Sequence, residues 1–387
     1  MEYILKHKDV EVAGLSFNDK NIIDNIVTVY NKDHFPAGVV QEDGRIHVGR
    51  IEDWWVGRGI PGERERFYEV LKEINVKNKN ELLIKSFGIS LTDHYWVCPK
   101  DVHLKWKEVN FYENDFSFDI GDAFFYRSKK DTYNLRAPDN SSDGKLIKRW
   151  SVIDGKRMLI KGGSSGNYQE PFNEAITSSI CQRLNIPHVK YDLLYEDGEY
   201  YSICENMTNG EYELVYASHI FEALYRNIND SFYRHYIKCC DKLNIKNIID
   251  RLNKMMVVDY IIANTDRHFS NFGAIRNSET LEYVYPAPVY DSGTSLWHDK
   301  NINDINENGI IGTKCFESTH FAQIKLVTDF SWYDKNKLVG IEDEYLELLL
   351  KNAHFEIERK KRLALALRKR IEMLDAFIKS SRPQNIS

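Results

Sequence analysis

The chain is 387 residues long, 42% hydrophobic and 28% charged, with a formal net charge of −6. It is long enough for two domains and a large core, and no apolar run approaches the roughly 18–20 residues that span a bilayer. The mildly acidic balance disfavours direct nucleic-acid binding, which needs a basic surface to neutralise phosphates.

The N-terminal residues Met1 to Lys8 lack the apolar core of a signal peptide, so a cytoplasmic location is expected. The six cysteines are Cys98, Cys181, Cys204, Cys239, Cys240 and Cys315. They form no C-x-x-C and no zinc-finger spacing, and they read as reduced packing residues.

Residues 1–30 are mixed and suggest one strand and one short helix. Val39 to Val48, with Asp43-Gly44 at its centre, reads as a hairpin. Phe67, Val70, Leu71 and Ile74 have helical spacing within Glu63–Ile74. Leu82 to Phe87 fits either helix or strand. Leu91 to Val97 is aromatic-rich and reads as a strand with its aromatic side buried. The polar stretch from Asn110 to Gly121 reads as a loop and marks a candidate domain boundary, with the residues before it folding as a separate unit.

Trp150 to Ile153, the Asp154-Gly155 turn and Arg157 to Lys161 form a predicted hairpin. A helix from Glu170 to Leu184 follows, with Pro171 in its first turn. Val189 to Tyr195, the Asp197-Gly198 turn and Tyr200 to Cys204 make a second hairpin. Helices are then predicted over 214–228, 231–241, 246–264, 341–350 and 355–379. In the last, Leu363, Leu367, Ile371, Leu374 and Ile378 form a buried stripe. Its basic residues Arg359, Lys360, Lys361, Arg362, Arg368, Lys369 and Arg370 read as a solvated face.

The richest stretch runs Asn264-Thr265-Asp266-Arg267-His268-Phe269-Ser270-Asn271-Phe272-Gly273, after an apolar helix from Leu252 to Ile262. Two short strands, Leu281–Tyr285 and Ala287–Tyr290, then lead to Asp291-Ser292-Gly293. A phosphoryl-transfer site needs a carboxylate for the acceptor hydroxyl, with an amide and a second carboxylate to hold metal ions on the nucleotide phosphates. Asp266, Asn271 and Asp291 have that spacing. The spacing alone also fits an Asp266–Arg267 ion pair with Asn271 capping a turn.

Asn-x-Asp-Arg-His-x-x-Asn-Phe-Gly, followed by Ala-Pro-x-Tyr-Asp-Ser-Gly, resembles the HipA-like bacterial serine/threonine kinases. Their catalytic loop reads D-R-H where ordinary protein kinases read H-R-D, an order shared by the phosphoinositide 3-kinase relatives. The resemblance covers about residues 130–300 well and the C-terminal helices loosely. It implies an α+β, two-lobed protein-kinase-like fold with an N-terminal extension. Residues 1–121 would be an N-terminal domain of unknown role, 122–208 the small lobe, and 209–387 the helical lobe with the catalytic loop.

The resemblance also implies ATP and Mg2+ as cofactors, a protein hydroxyl as acceptor, and an antitoxin-like protein partner. Asp266 would be the catalytic base or orienter, and His268 a brace of its loop. Asn271 and Asp291 would be the magnesium ligands. Lys161, at the end of an apolar strand, would be the phosphate clamp, paired with Glu174 rather than Glu170. The stretch Asp139 to Lys148 would cover the phosphates, with Ser141, Ser142 and Gly144 at the nucleotide. Ser141 and Ser142 are its candidates for autophosphorylation, an off-switch by added negative charge. Glu205 and Met207 would flank the adenine hinge. Gly162 to Gly166 lacks the Gly-Lys-Ser/Thr ending of a Walker A loop and reads as a connection. Rival readings are a lipid or small-molecule kinase on the same fold, and a non-catalytic nucleotide-binding regulator.

Overall fold

The structure is a computed structural model that describes residues 1–126, 130–164 and 166–381. The N-terminal residues form β1 (Glu2–His7), β2 (Val10–Phe17) and β3 (Ile23–Val29), so the expected short helix in this stretch is replaced by two further strands. In β2, Val10-Glu11-Val12-Ala13-Gly14-Leu15 alternates enough to bury one face. The expected hairpin around Asp43-Gly44 reduces to one isolated Val40–Ile46 bridge, and Val48 already starts helix α1 (Val48–Arg58).

Helices α2 (Phe67–Glu73) and α3 (Lys79–Lys85) follow; the latter settles the ambiguous Leu82–Phe87 segment as mainly helical. Strand β4 (Tyr95–Pro99) then returns to pair antiparallel with β1, giving the order β3-β2-β1-β4. Side chains alternate across β4. Tyr95 and Val97 enter a cluster with Leu5, Val12, Trp54 and Trp55, while Trp96 and Cys98 enter another with Trp106, Phe111 and Phe116.

Two short helices, α4 (Trp106–Val109) and α5 (Asp119–Tyr126), flank the loop expected at Asn110–Gly121, and α5 already begins within it. The second sheet contains β5 (Lys148–Ile153), β6 (Lys156–Lys161), β7 (Tyr191–Glu196) and β8 (Glu199–Glu205) in the order β5-β6-β8-β7. Its hairpins turn at Asp154-Gly155 and Asp197-Gly198, where all four residues have positive φ. This is the backbone that two-residue turns of this kind need to match strand twist. Helix α6 (Glu170–Arg183) packs on the sheet. The Gly162–Gly166 connection includes Ser165, which lies outside the described residues.

The helical lobe departs from expectation at its start. Residues 212–216 form strand β9 (Tyr212–Tyr216), followed by the single-turn α7 (Ala217–Phe221), instead of a helix over 214–228. Next come α8 (Phe232–Lys242) and α9 (Ile248–Ile262), then β10 (Gly273–Asn277) and β11 (Tyr283–Pro286). Strand β10 lies between β9 and β11. The strand expected at Ala287–Tyr290 is only a bridge between Val289 and His188. Helices α10 (His320–Gln323), α11 (Ile341–Leu350) and α12 (Ile357–Ser381) complete the lobe.

The basic run on α12 is not one solvated face. Arg359, Lys360 and Arg370 are buried, Arg362 and Lys369 pair with Glu307, and Arg370 donates to the Tyr260 carbonyl at 2.6 and 2.9 Å. All six cysteines are buried free thiols. No helix among the described residues is long and apolar enough to cross a membrane.

Apolar packing runs across residue 121. One cluster joins Ile60, Phe67, Val70 and Leu82 to Ile120, Phe124 and Ala137, with Ile147 packed against it; another joins Trp96, Trp106 and Phe111 to Trp150 and Leu159. A buried polar network links the N-terminal sheet to β9. His7 Nε2 lies 3.1 Å from Glu213 Oε2, His94 N–H donates to the same oxygen at 3.1 Å, and Arg276 takes Oε1 at 2.5 Å. Deleting residues 1–121 would strip both clusters of most of their residues and leave Glu213 without its histidines. The truncated chain is therefore expected to be insoluble or to lack a cooperative thermal transition. A soluble, cooperatively melting fragment beginning at Asp122 would show instead that the two parts fold apart.

Candidate active site

Helix α9 ends where Ala263 turns left-handed at φ 51°. The chain is then fastened back onto the helix, with Asn264 N–H donating to the Asp259 carbonyl (3.0 Å) and its amide to Asp259 Oδ1 (2.8 Å). Asn264 Oδ1 in turn accepts from the Asp266 N–H at 3.0 Å.

Arg267 is fully buried and is the hub of the loop. Its guanidinium pairs with Asp259 at 3.0 Å and donates to the Asn271 carbonyl at 2.7 Å, the Tyr290 carbonyl, and Ser292 Oγ at 3.0 Å. Burial opposes its charge, but Asp259 outweighs this and raises its pKa further. The alternative in which Arg267 pairs with Asp266 does not hold, because Asp259 takes the arginine and Asp266 is left facing the cleft with Lys314 at 2.5 Å.

Asn271 donates its amide N–H to the Asp266 carbonyl at 2.9 Å, which leaves its amide oxygen as the other end. His268 is 40% exposed at its side chain, lies 3.9 Å from Asp266, and accepts the Ser270 N–H at 3.3 Å. It is a surface of the cleft, not a core histidine.

Across the cleft, Lys161 at the end of β6 is bonded to Glu174 of α6 and to Asp291 at 2.5 Å. Glu174 also accepts from Ser202 of β8. Glu170, the alternative partner, bonds Ser164 instead. Burial penalises the charge on Lys161, yet the two carboxylates hold its pKa well above the usual lysine value. Burial likewise opposes ionisation of Asp291, but Lys161 and Lys148 keep its carboxyl well below the usual range. Asp291 has φ 52°, an uncommon backbone for a residue with a side chain. Such strain is held only where surrounding contacts over-determine it, and here the neighbouring Tyr290 carbonyl and Ser292 hydroxyl are both tied to Arg267.

Lys161, Asp291 and the loop that follows α9 line one cavity of about 830 Å³. Of the predicted residues, Lys161, Ser141, Ser142, Gly144, Glu205, Met207, Asp266, His268, Asn271 and Asp291 all border it. Glu174 stands behind Lys161 and does not. Trp150, Leu159, Val189, Met207 and Leu214 give the cavity an apolar end beside the Glu205–Met207 segment. Glu205 sends its side chain outward to Lys156 at 2.6 Å, so only its backbone faces inward chemistry. Ser141 Oγ donates to the Ile89 carbonyl (2.7 Å) and Ser142 Oγ to the Asp139 carbonyl (2.7 Å). Both hydroxyls are thus committed to backbone in this conformation.

Sequence reasoning missed Lys148, which pairs in register with Lys161 across β5 and β6 and borders the same cavity. Burial and the like charge of Arg64 pull its pKa down to about 8. Only the strand register, not a motif, identifies it.

Asp291 and Asn271 offer hard oxygen donors of the kind magnesium prefers, and the donor set fits that ion. A second group of metal-capable side chains, His7, His94 and Glu213, has ligand atoms within 4.8 Å of one another. Arg276 already supplies the countercharge on Glu213, so this cluster is an ion-pair and hydrogen-bond network.

No protein-family model matches the sequence, and no curated protein matches it. Solved structures do. HipA of Shewanella oneidensis MR-1, solved in a toxin–antitoxin complex with HipB and operator DNA, is 15% identical. That match covers 98% of this chain and 99% of HipA with a TM-score of 0.53. This chain has the HipA-like kinase fold. The Helicobacter pylori proinflammatory kinase CtkA is 18% identical over 60% of this chain and 95% of its own, with a TM-score of 0.46. A Golgi casein kinase is 12% identical over 62% and 73%, at a TM-score of 0.29. At such identities the likeness concerns architecture: a sheet-rich lobe and a helical lobe facing each other across the cavity.

Asp139 begins the loop over this cavity. Its Oδ1 accepts the Trp150 N–H at 2.9 Å, while Oδ2 is buried without a partner. Burial raises its pKa from 3.8 to about 7. The native state therefore binds this proton more tightly than the unfolded chain. The associated stability is present below pH 4 and is lost as pH rises through 7. Asp139→Asn keeps an acceptor for Trp150 and removes the titration. Its melting temperature is expected to exceed that of wild type by about 2–4 °C at pH 8, and the difference should shrink between pH 7 and 4 until the two match near pH 4. Equal differences at both pH values would refute the assignment.

Proposed function

We propose that this chain is an ATP- and Mg-dependent protein serine/threonine kinase. The observation that carries the reading is the bond from Lys161 to both Glu174 and Asp291, set opposite Asp266 and Asn271 across one cavity. A site for binding alone does not require a carboxylate facing the acceptor side in addition to a lysine clamp and a metal-ligand pair.

The apolar end of the cavity would take the adenine, with the backbone of residues 205–207 available for hydrogen bonds. Lys161, fixed in place by Glu174, would meet the phosphates as a point charge. Asp291 and Asn271 would hold magnesium, which when bound neutralises charge developing on the transferred phosphoryl group. Asp266 would orient the acceptor hydroxyl and receive its proton. The loop bond from Asn271 to the Asp266 carbonyl keeps the two residues at a fixed separation. Lys314, exposed and paired with Asp266, is placed to release it when an acceptor arrives.

Serine or threonine of a protein is the proposed acceptor. The fold likeness to HipA, solved with HipB, supports a protein partner of antitoxin type. The burial or pairing of most basic residues on α12 leaves that helix without a stripe for nucleic-acid phosphates.

The two carboxylates should separate by role. Asp291→Ala is expected to abolish Mg-dependent ATP binding in calorimetric titration. Asp266→Asn should bind within about twofold of wild type while phosphate transfer from radiolabelled ATP falls by about 10²-fold or more. Equal loss of binding in both variants would overturn the assignment.

A further inference from the structure

We propose that Arg64, supplied by the N-terminal residues, is a positioning residue that shapes the phosphate end of the cavity. The proposal rests on the nucleotide-binding reading above. Arg64 lies between α1 and α2, outside the two kinase lobes, and is 2% exposed. Its guanidinium reaches the loop that follows Asp139. Nη1 donates to Ser142 Oγ at 2.9 Å, Nη2 to the carbonyls of Ser142 at 2.5 Å and Asp143 at 3.2 Å, and Nε to the Gly144 carbonyl at 3.0 Å. Lys148 also donates to the Asp143 carbonyl. Three consecutive carbonyls are thereby held by cations.

A planar peptide unit fixes its N–H opposite its carbonyl. Turning the carbonyls of residues 142–144 toward Arg64 therefore constrains where the following N–H groups point. Of those three groups, the Asp143 and Lys145 N–H have no hydrogen-bond partner among the described residues and both residues border the cavity, while the Gly144 N–H between them donates to the Asp143 carboxylate at 2.6 Å. Unpaired backbone N–H groups bordering one cavity are donors that an anion can use, and the Gly144 N–H joins them if the Asp143 carboxylate swings away.

Arg64 has no carboxylate within ion-pair distance among the described residues, and the more distant Asp139 and Asp143 offset the cost of burying its charge only in part. The phosphates of a bound nucleotide would complete that balance. Only a guanidinium can serve three carbonyls and a hydroxyl from one rigid fork; a lysine supplies the charge without the geometry. The N-terminal residues thus hold the phosphate loop in shape.

Arg64→Lys and Arg64→Met in the full chain test this. Without nucleotide, hydrogen exchange in a peptide covering 140–147 is expected to rise in both variants, more in Arg64→Met. Exchange over β6 and α9 should stay at wild-type rates. The dissociation constant for Mg-ATP should rise by about tenfold in Arg64→Met and less in Arg64→Lys, and in the transfer assay the loss should fall on KM for ATP, not on kcat. Wild-type protection of 140–147 in both variants, or a loosened loop with unchanged Mg-ATP affinity, overturns the proposal. If Arg64→Met unfolds globally, the lysine variant decides by the same readouts. If the wild type itself fails to bind Mg-ATP, the kinase reading fails, while exchange at 140–147 still reports whether Arg64 holds the loop.

Discussion

A guanidinium with no access to water organises the Asp266 side of the cavity. Arg267 binds α9 through Asp259, the preceding loop through the Asn271 carbonyl, and the segment after β11 through Tyr290 and Ser292. A buried ion pair brings little net stability by itself, because desolvation offsets most of the attraction. Breaking one is costly, since the remaining charge is left unpaired. The pair therefore acts as a constraint more than as a source of stability. It makes the placements of Asn271 and Asp291 mutually dependent, although 20 residues separate them in sequence.

The opposite wall uses the same logic with one more carboxylate. Lys161 alone could swing through many rotamers. Glu174 on α6 and Ser202 on β8 fix its partner, so the helix and sheet together decide where its charge sits. One cation is shared by two acids there, and Lys148 on the neighbouring strand supplies the second positive charge. The N-terminal layer reaches the same cavity from a third direction, through the clusters around Trp150 and Phe124 and the loop from Ser142 to Gly144 that Arg64 holds.

Much of this could be read from the residues, and the reasons differ by element. The Asp154-Gly155 and Asp197-Gly198 turns announce themselves because few residues accept positive φ twice in succession. The Asp266-to-Asn271 spacing and Asp291 stand out because they match what a phosphoryl-transfer site would need, and the fold brings all three to one cavity. Glu174 follows from its place one turn into an obvious helix. Strand β9 was hidden because Tyr212-Glu213-Leu214-Val215-Tyr216 runs straight into a helical turn, and its pairing with β10 is a tertiary choice. Strand β3, exposed along most of its length, has too little apolar periodicity to reveal itself. Lys148 depends on register with Lys161, and Arg64 depends on a contact spanning 78 positions. The buried arginines and lysine of α12 look solvated in sequence, since nothing local reveals the acceptors Tyr260, Asn352 and Glu307 awaiting them.

The return of β4 to the edge of β1 carries a consequence for how the chain acquires its shape. Tyr3 pairs with Pro99 and His7 with Tyr95, so the first sheet closes over nearly ninety intervening residues. Closing so long a loop has an entropic cost that must be met before the pairing repays it. During synthesis β1 to β3 must wait, with one edge unpaired, until β4 has emerged. The cluster on the far side of β4 then waits longer still, for Trp150. The early chain therefore passes through an interval of exposed strand edge and aromatic surface, which is the state in which a chaperone would find it.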